Sequence, residues 1–494
     1  MSRQLRGVGL IVVLALAAAG CSGSDQSDSA ATSTTSTTAT TATTTTTTAV
    51  PTTTTTTAAV DDGIETDGVT VTAGTIYVGL LADLSGPLSA NDIDLVDAQL
   101  VFWSDLNESG GIAGRQVELL IADTGSDLAD HEAAYERLKG QVVMFSHSAG
   151  SQNTAAIADD LVADDRLAVV ASWYSGWADP DLGANVVETG SSYCLEAMNG
   201  LSAVAAAHQA ETGLPPSLAI AADSSEYGQD SAAGARWLAD ALALQVRFDG
   251  TIDALFSTGA IGGEIAVAAA DWTWLATDPT ATAEIVSAAV AEGYEGAWSG
   301  AMPSFNPRLL ATGLGEYLAD NWLHSALVAP MGADVSGMPE VYSALADAYP
   351  DRYPSDGLIR GYLQFAAAKQ ILEHAAVRND LTPEGVREAR DDLGGLEFAG
   401  ISPPTVFADN LNDAATRETA LYRPNKSTFD EQGGLTATLA EGAISPYDLV
   451  ADFTASPVAE AYIFDGPCYT CLLYTSDAAD DSKRVWLWVG AGSG

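Results

Sequence analysis

Several short polar and aromatic segments follow apolar runs, where a fold can present them to a small molecule. His147-Ser148-Ala149-Gly150-Ser151 comes just after the run ending at Phe145. Hydroxyls and unpaired amides at a strand-to-helix junction suit a carboxylate, because the first helical turn leaves N–H groups open and its dipole favours negative charge. Ser148 and Ala149 are therefore candidate ligand contacts; the alternative for Ser148 is a plain helix cap. Trp173-Tyr174-Ser175-Gly176-Trp177 follows the next run. Its aromatics would form a flat apolar wall or a cation–π face beside Ser175, or else pack two lobes together. Asp271-Trp272-Thr273-Trp274 follows the run ending at Ala270 in the same way. Ser85-Gly86-Pro87 is turn chemistry at the end of another run, a ligand loop or a plain turn. Tyr227, within Glu226-Tyr227-Gly228, completes the candidate set. Catalytic signatures are missing. The chain has no GxSxG elbow, HExxH pair, P-loop or GxGxxG after a strand, and its five histidines show no metal-ligand spacing. No enzyme activity, metal or cofactor is expected.

The elements that must position these residues alternate. Strands are expected at Ile76–Leu81, Val117–Ala122, Gln141–Phe145 and Leu167–Ala171, with helices between them. After a long helix over Leu195–Thr212 the pattern resumes. Strands are expected at Ser217–Ala222, Ile265–Ala270 and Gly296–Ser299. Short continuous apolar runs separated by helices predict an α/β fold with buried parallel strands and helices on both faces. The units are too many for one small sheet, so two doubly wound, Rossmann-like lobes are expected. Ligands in such sheets sit beyond the carboxyl ends of the strands. The expected lobes are 75–195 with 328–393, and 196–327 with 394–470.

Composition narrows the function further. With 66 acidic and 20 basic residues the formal net charge is -46. No basic stripe is available for phosphates, so nucleic acid is not an expected partner. Electrostatic docking on an anionic membrane is excluded likewise. Arg3 and Arg6 precede an apolar run from Val8 to Ala19, too short to span a bilayer and typical of an export signal. Gly20-Cys21 resembles a bacterial lipobox, although Ala18 stands where Leu is usual. Cys21 is thus the expected lipidation site after removal of residues 1–20, with ordinary cleavage and free secretion the alternative. Residues 21–74 are Thr-rich at their core and read as a disordered tether.

Asn107-x-x-Gly110-Gly111-Ile112-x-x-Arg115 followed by Val117–Asp123 resembles the type I periplasmic binding proteins of the Leu/Ile/Val-binding family. Gly79-Leu80-Leu81 through Ser85-Gly86-Pro87, then Glu226-Tyr227-Gly228, then the late helix over Gly361–Ala375, agree in order, and the likeness runs over roughly 75–450. The resemblance implies lobes joined by a three-stranded hinge and a ligand cleft between them. It implies that Ser148 holds a ligand carboxylate and that Tyr227 faces the ligand. It also implies delivery to the permease and ATPase subunits of an ABC importer. One departure stands out. Amino-acid binders of this family place an acid after the strand at Gly296–Ser299, and here Ala301-Met302 stands there. An unpaired buried ammonium is costly, so either Asp271 or Glu226 replaces that acid or the ligand is an amide, small carboxylate or aromatic compound.

Four cysteines remain to be placed. With Cys21 on lipid in an oxidising compartment, Cys194 and Cys468 are expected to pair near the hinge. Residues 471–494 continue no βα pattern and resemble an adaptor-derived run, so they are expected not to be native. The expectation is a monomeric, lipid-anchored binding protein on the outer face of the cell membrane. Its alternatives are a ligand-sensing module for a signalling partner and a surface-display protein on a Thr stalk.

Overall fold

A computed structural model describes residues 71–470 apart from 73, 253–256, 409 and 443. Cys21, the Thr-rich stretch and residues 471–494 lie outside the described residues. All described residues fall in one compact unit, Thr57–Gly494.

The first lobe is built on a six-stranded sheet. β2 (Thr75–Ala82) is its axis, with β1 (Val71–Thr72) folded back antiparallel on its start. β3 (Gln116–Asp123) and β4 (Met144–Ser148) flank β2 in parallel; β5 (Ala168–Val170) and β6 (Val186–Val187) extend the sheet. β2 is buried along most of its length, as a strand covered on both faces must be. The long helix α1 (Ser89–Glu108) covers one face, and α2 (Leu128–Leu138), α3 (Ser151–Ala156) and α4 (Ala158–Ala163) follow.

The chain leaves this sheet after β6 and enters α5 (Tyr193–Thr212), capped by Ser192. The second sheet then grows through β7 (Ser217–Asp223), α6 (Glu226–Ala241), β8 (Gln245–Ile252), α7 (Thr258–Ala268), β9 (Trp272–Ala276), α8 (Pro279–Ala291), β10 (Ala297–Gly300), α9 (Gly315–Asn321) and β11 (Trp322–Ala326). From Leu327 the chain returns to the first core. There it forms α10 (Met338–Ala348), α11 (Asp356–Val377), α12 (Pro383–Leu393) and the hairpin β12 (Gly395–Leu396) with β13 (Thr405–Val406). It crosses back beyond Phe407 and adds β14 (Thr419–Pro424) and β15 (Tyr447–Thr454), both antiparallel, giving the order β15-β14-β11-β10-β9-β7-β8. The link between these last strands reaches the first lobe: Leu439 is buried in the first core and its N–H donates to Arg352 O.

The α/β class and parallel sheets agree with the sequence reading, and two expectations are corrected. Ile265–Ala270 is mostly the end of α7, whose buried Ile261, Gly262 and Ile265 follow helical spacing under a Ser257 cap; the strand is Trp272–Ala276. The last return to the second lobe does not occur at 394. Leu396, Phe398 and Ile401 are buried in the first core, since the hairpin's apolar residues have that core to cover them.

Candidate functional site

The two sheets direct loops at the carboxyl ends of their strands toward one another. In the first lobe β2 runs into Asp83, whose buried carboxylate organises the next turn. It accepts the N–H groups of Ser85 (3.2 Å), Gly86 (2.5 Å) and Leu88 (2.7 Å). Ser126 Oγ donates to it as well, at 2.5 Å. The amides near Ser85 are therefore not free for a ligand, and the Ser85 hydroxyl helps to hold Asp123 below the usual carboxylate range, after the Leu84 N–H. Ser148 ends β4 fully buried, with its Oγ 3.1 Å from His131 Nε2 and 2.7 Å from Thr154 Oγ1. The Ala149 N–H donates to Leu81 O. The strand expected at Gln141–Phe145 is Met144–Ser148, so Ser148 is its last residue rather than part of a following loop, and internal partners engage the groups that were to meet a carboxylate.

The loop after β5 lies between the lobes. Trp173 packs edge-on against Tyr193, centroids 6.1 Å apart, and its carbonyl accepts the Tyr193 N–H. Tyr174 Oη donates to Tyr469 O at 2.7 Å. Ser175 donates its N–H to Asp230 Oδ2 of α6 at 3.1 Å, and its Oγ also donates to Asp230. The Cys468 N–H in turn donates to Ser175 Oγ, and Cys468 is disulfide-bonded to Cys194 at the start of α5. Ser175 thus joins the first lobe, α6 and the end of the described chain.

Across from this loop, Ser225 caps α6 and sets Tyr227 on its first turn. Tyr227 Oη lies 3.0 Å from Ser304 Oγ and donates to Thr277 O at 3.3 Å. Its ring meets Tyr193 edge-on at 4.7 Å. Tyr227 and Met302 both pack against the first-lobe core cluster that holds Trp173 and Tyr193. These residues form the aromatic centre of the junction.

Asp271 and Trp272 do not belong to it. They stand at the amino end of β9, the opposite end from the cleft, where Asp271 accepts the N–H and Oγ of Ser217, both at 2.7 Å. Reading the strand one segment too early put them at the wrong end of the sheet.

The sequence reading missed the buried acids. Glu196, on α5, is fully buried; its Oε1 accepts the Met302 N–H at 2.7 Å, so a carboxylate reaches the segment after β10 from a different element. Burial pushes Glu196 up to about 8, against the opposing Met302 and Ser325 hydrogen bonds. Burial likewise pushes Asp230 up to about 7, opposed by Ser175. Glu188 is held well above the usual range by burial and then by the charge of Asp230. Farther along the junction Asp356 opens α11, accepts the Met331 N–H and is raised by burial. Arg308 of the second lobe lies over the Tyr353 ring of the first at 5.0 Å. No hydrophobic period marks such residues, because their burial comes from segments distant in the chain rather than from their own elements. Among the described residues no cluster of side chains is arranged to hold a metal ion.

A protein-family model described as periplasmic binding protein matches residues 75–428. The chain belongs to the periplasmic binding protein family. Members of this family are solute-binding proteins outside the cytoplasm. Solved structures of the type I group share the fold. A fatty acid ABC transporter substrate-binding protein from Thermomonospora curvata superposes with a TM-score of 0.70 at 23% identity, covering 81% of this chain and 97% of that one. An ABC transporter substrate-binding protein from Aeropyrum pernix gives 0.63 at 18% identity, covering 79% and 100%. A branched chain amino acid ABC transporter protein from Thermus thermophilus with bound valine gives 0.64 at 16% identity, covering 78% and 98%. No curated protein matches the sequence. No helix among the described residues is long and apolar enough to cross a membrane.

Proposed function

We propose that this periplasmic binding protein captures a small solute between its lobes and delivers it to an ABC importer, tethered to the outer face of the membrane through a lipid on Cys21. The observation that carries the reading is the junction itself. Trp173 and Tyr193 face Tyr227 and Met302 from different elements at the carboxyl ends of two parallel sheets, the place where open α/β sheets take ligands. The chain passes between the lobes at 188–192, at 327 and beyond 407, so rotation about these segments opens and closes the junction. Closure around a solute would present a new surface to permease and ATPase subunits. The ligand is an amino acid, an amide, or another small carboxylate or aromatic compound, taken up by one monomer. Solved relatives in complex with valine or named for fatty acids support an amphiphilic solute with a carboxylate. Tyr227, Trp173 and Tyr193 are the contacts assigned to its apolar body.

A thermal-shift screen of the full chain against amino acids, amides, fatty acids and aromatic acids tests this. A ligand that binds only the folded state raises the midpoint by mass action, about 2.7 kcal/mol at a hundredfold excess over Kd. Tyr227→Ala is expected to remove the shift while leaving the unliganded midpoint within a few degrees. No shift across the panel, with no change in small-angle scattering radius, would sink the solute-binding reading.

A further inference from the structure

A groove of about 450 Å³ lies beside the junction, against the segments that join the lobes. One wall is the loop from Trp177 to Ala184 together with Val186. The others are the first crossing at Glu188 and Gly190, the end of α12 at Arg390, and the last crossing at Thr405–Ala408 and Ala414–Thr416. This volume falls within the range that small-molecule sites occupy, roughly 300–1,000 Å³. Its lining combines aromatic and aliphatic side chains with a few charged ones, the mixture that orients a small ligand.

The charges decide the ligand. Arg390 is the cation in the lining, and two of its five donors are engaged within the protein. It donates to Ala184 O at 2.9 Å and to Asp391 Oδ1 at 2.7 Å, and it lies 5.5 Å over the Phe407 ring. Asp391 is thereby paired, and Arg387 reaches it too, at 3.2 Å. Asp179 accepts the Asp181 N–H. Glu188 differs: Thr405 Oγ1 donates to its backbone carbonyl, but its Oε1 is buried and has no hydrogen-bond partner among the described residues. Among the described lining residues the carboxylates of Asp179, Glu188 and Asp391 face the single guanidinium of Arg390, so the balance of charge disfavours an anion. A ligand ammonium would satisfy the Glu188 carboxylate and favour its ionised form, which burial and the charge of Asp230 now oppose.

We propose that this groove is a second binding site, for a small organic ammonium ion whose charge meets Glu188 and whose apolar body lies among Trp177, Val186 and Phe407. The site is independent of the solute reading. Its walls include two of the segments that cross between the lobes, so occupancy acts on lobe rotation and couples to whatever the junction holds.

Isothermal titration of the full chain with phenethylamine tests the proposal, with 3-phenylpropanoate and 3-phenylpropan-1-ol as anionic and neutral counterparts. Phenethylamine is expected to bind, and the two counterparts to bind at least about tenfold more weakly. Glu188→Gln is expected to weaken phenethylamine by at least about tenfold. Val406→Lys, at an exposed position on the groove rim, brings an ammonium of its own and is expected to abolish binding with the melting temperature retained. Absence of phenethylamine binding, equal affinity for the propanoate, or binding unaltered by Val406→Lys would each overturn the proposal.

Discussion

Two buried polar regions of this protein have opposite bookkeeping of hydrogen bonds. Inside the first lobe, Asp92 Oδ2 accepts the Asp83 N–H and lies 3.1 Å from His147 Nε2. His147 Nδ1 is 2.9 Å from Gln364 Nε2, so one neutral tautomer serves both contacts. Gln99 then joins Gln364, Ser146 and Trp103. Every member of that chain is engaged. At the junction, Ser172 Oγ, Trp173 Nε1 and Ser191 Oγ are buried without hydrogen-bond partners among the described residues. A satisfied network rigidifies one arrangement, whereas unsatisfied buried groups are expensive unless the region changes or receives something. The first region is architecture, and the second is the region proposed to take the solute.

Breaking the satisfied network should have the largest effect. His147→Ala removes the imidazole that meets both the buried Asp92 carboxylate and the Gln364 amide, and should cost about 3 kcal/mol of unfolding free energy. Urea denaturation reads it, and a loss near zero would show that the network is not structural. Asp230→Ala comes next. It leaves the Ser175 N–H and Oγ without their acceptor at the lobe contact, and about 1–3 kcal/mol is expected.

A pH series sharpens the contrast. Asp230 at about 7 and Glu196 at about 8 hold protons more tightly when folded than their ordinary values allow. Their contribution to stability is therefore fully present below their unfolded values, and is lost progressively as pH rises from the ordinary carboxylate range through about 7 for Asp230 and about 8 for Glu196. The double variant Asp230→Asn, Glu196→Gln should flatten the pH dependence of stability across that window relative to the parent. An unchanged slope would place the titration elsewhere. The smallest effect is expected at the far end of the second sheet. Trp272→Phe should leave solute affinity unchanged, because Trp272 stands at the amino end of β9.

Much of the scaffold was legible beforehand. Val117–Ala122 and Ser217–Ala222 lie within β3 and β7, because continuous apolar runs bounded by turns have few other solutions in an alternating chain. The run Ile265–Ala270 misled because a short apolar stretch fits a buried strand or a buried helix face equally well. β8, with its exposed and half-buried pattern, gave no such run and was missed. The candidate site divided along the same line. Trp173 and Tyr227 could be singled out as candidates because they come within a few residues of a strand's end; Tyr193, Glu196 and Asp230 carry no such local mark.

The amino-acid sequence by itself determined the class of fold, the family and the strand ends at which a solute would be met. Those follow from local periodicity and turn chemistry, which act over a few residues. Only the tertiary structure decided which polar groups remain for a ligand. Ser85 and Ala149 lose their amides to Asp83 and Leu81, Asp271 turns away to Ser217, and Glu196 arrives beside Met302 from more than a hundred residues earlier in the chain. The physical reason is that hydrogen-bond satisfaction and burial are properties of the assembled interior, where residues distant in sequence compete for the same donors.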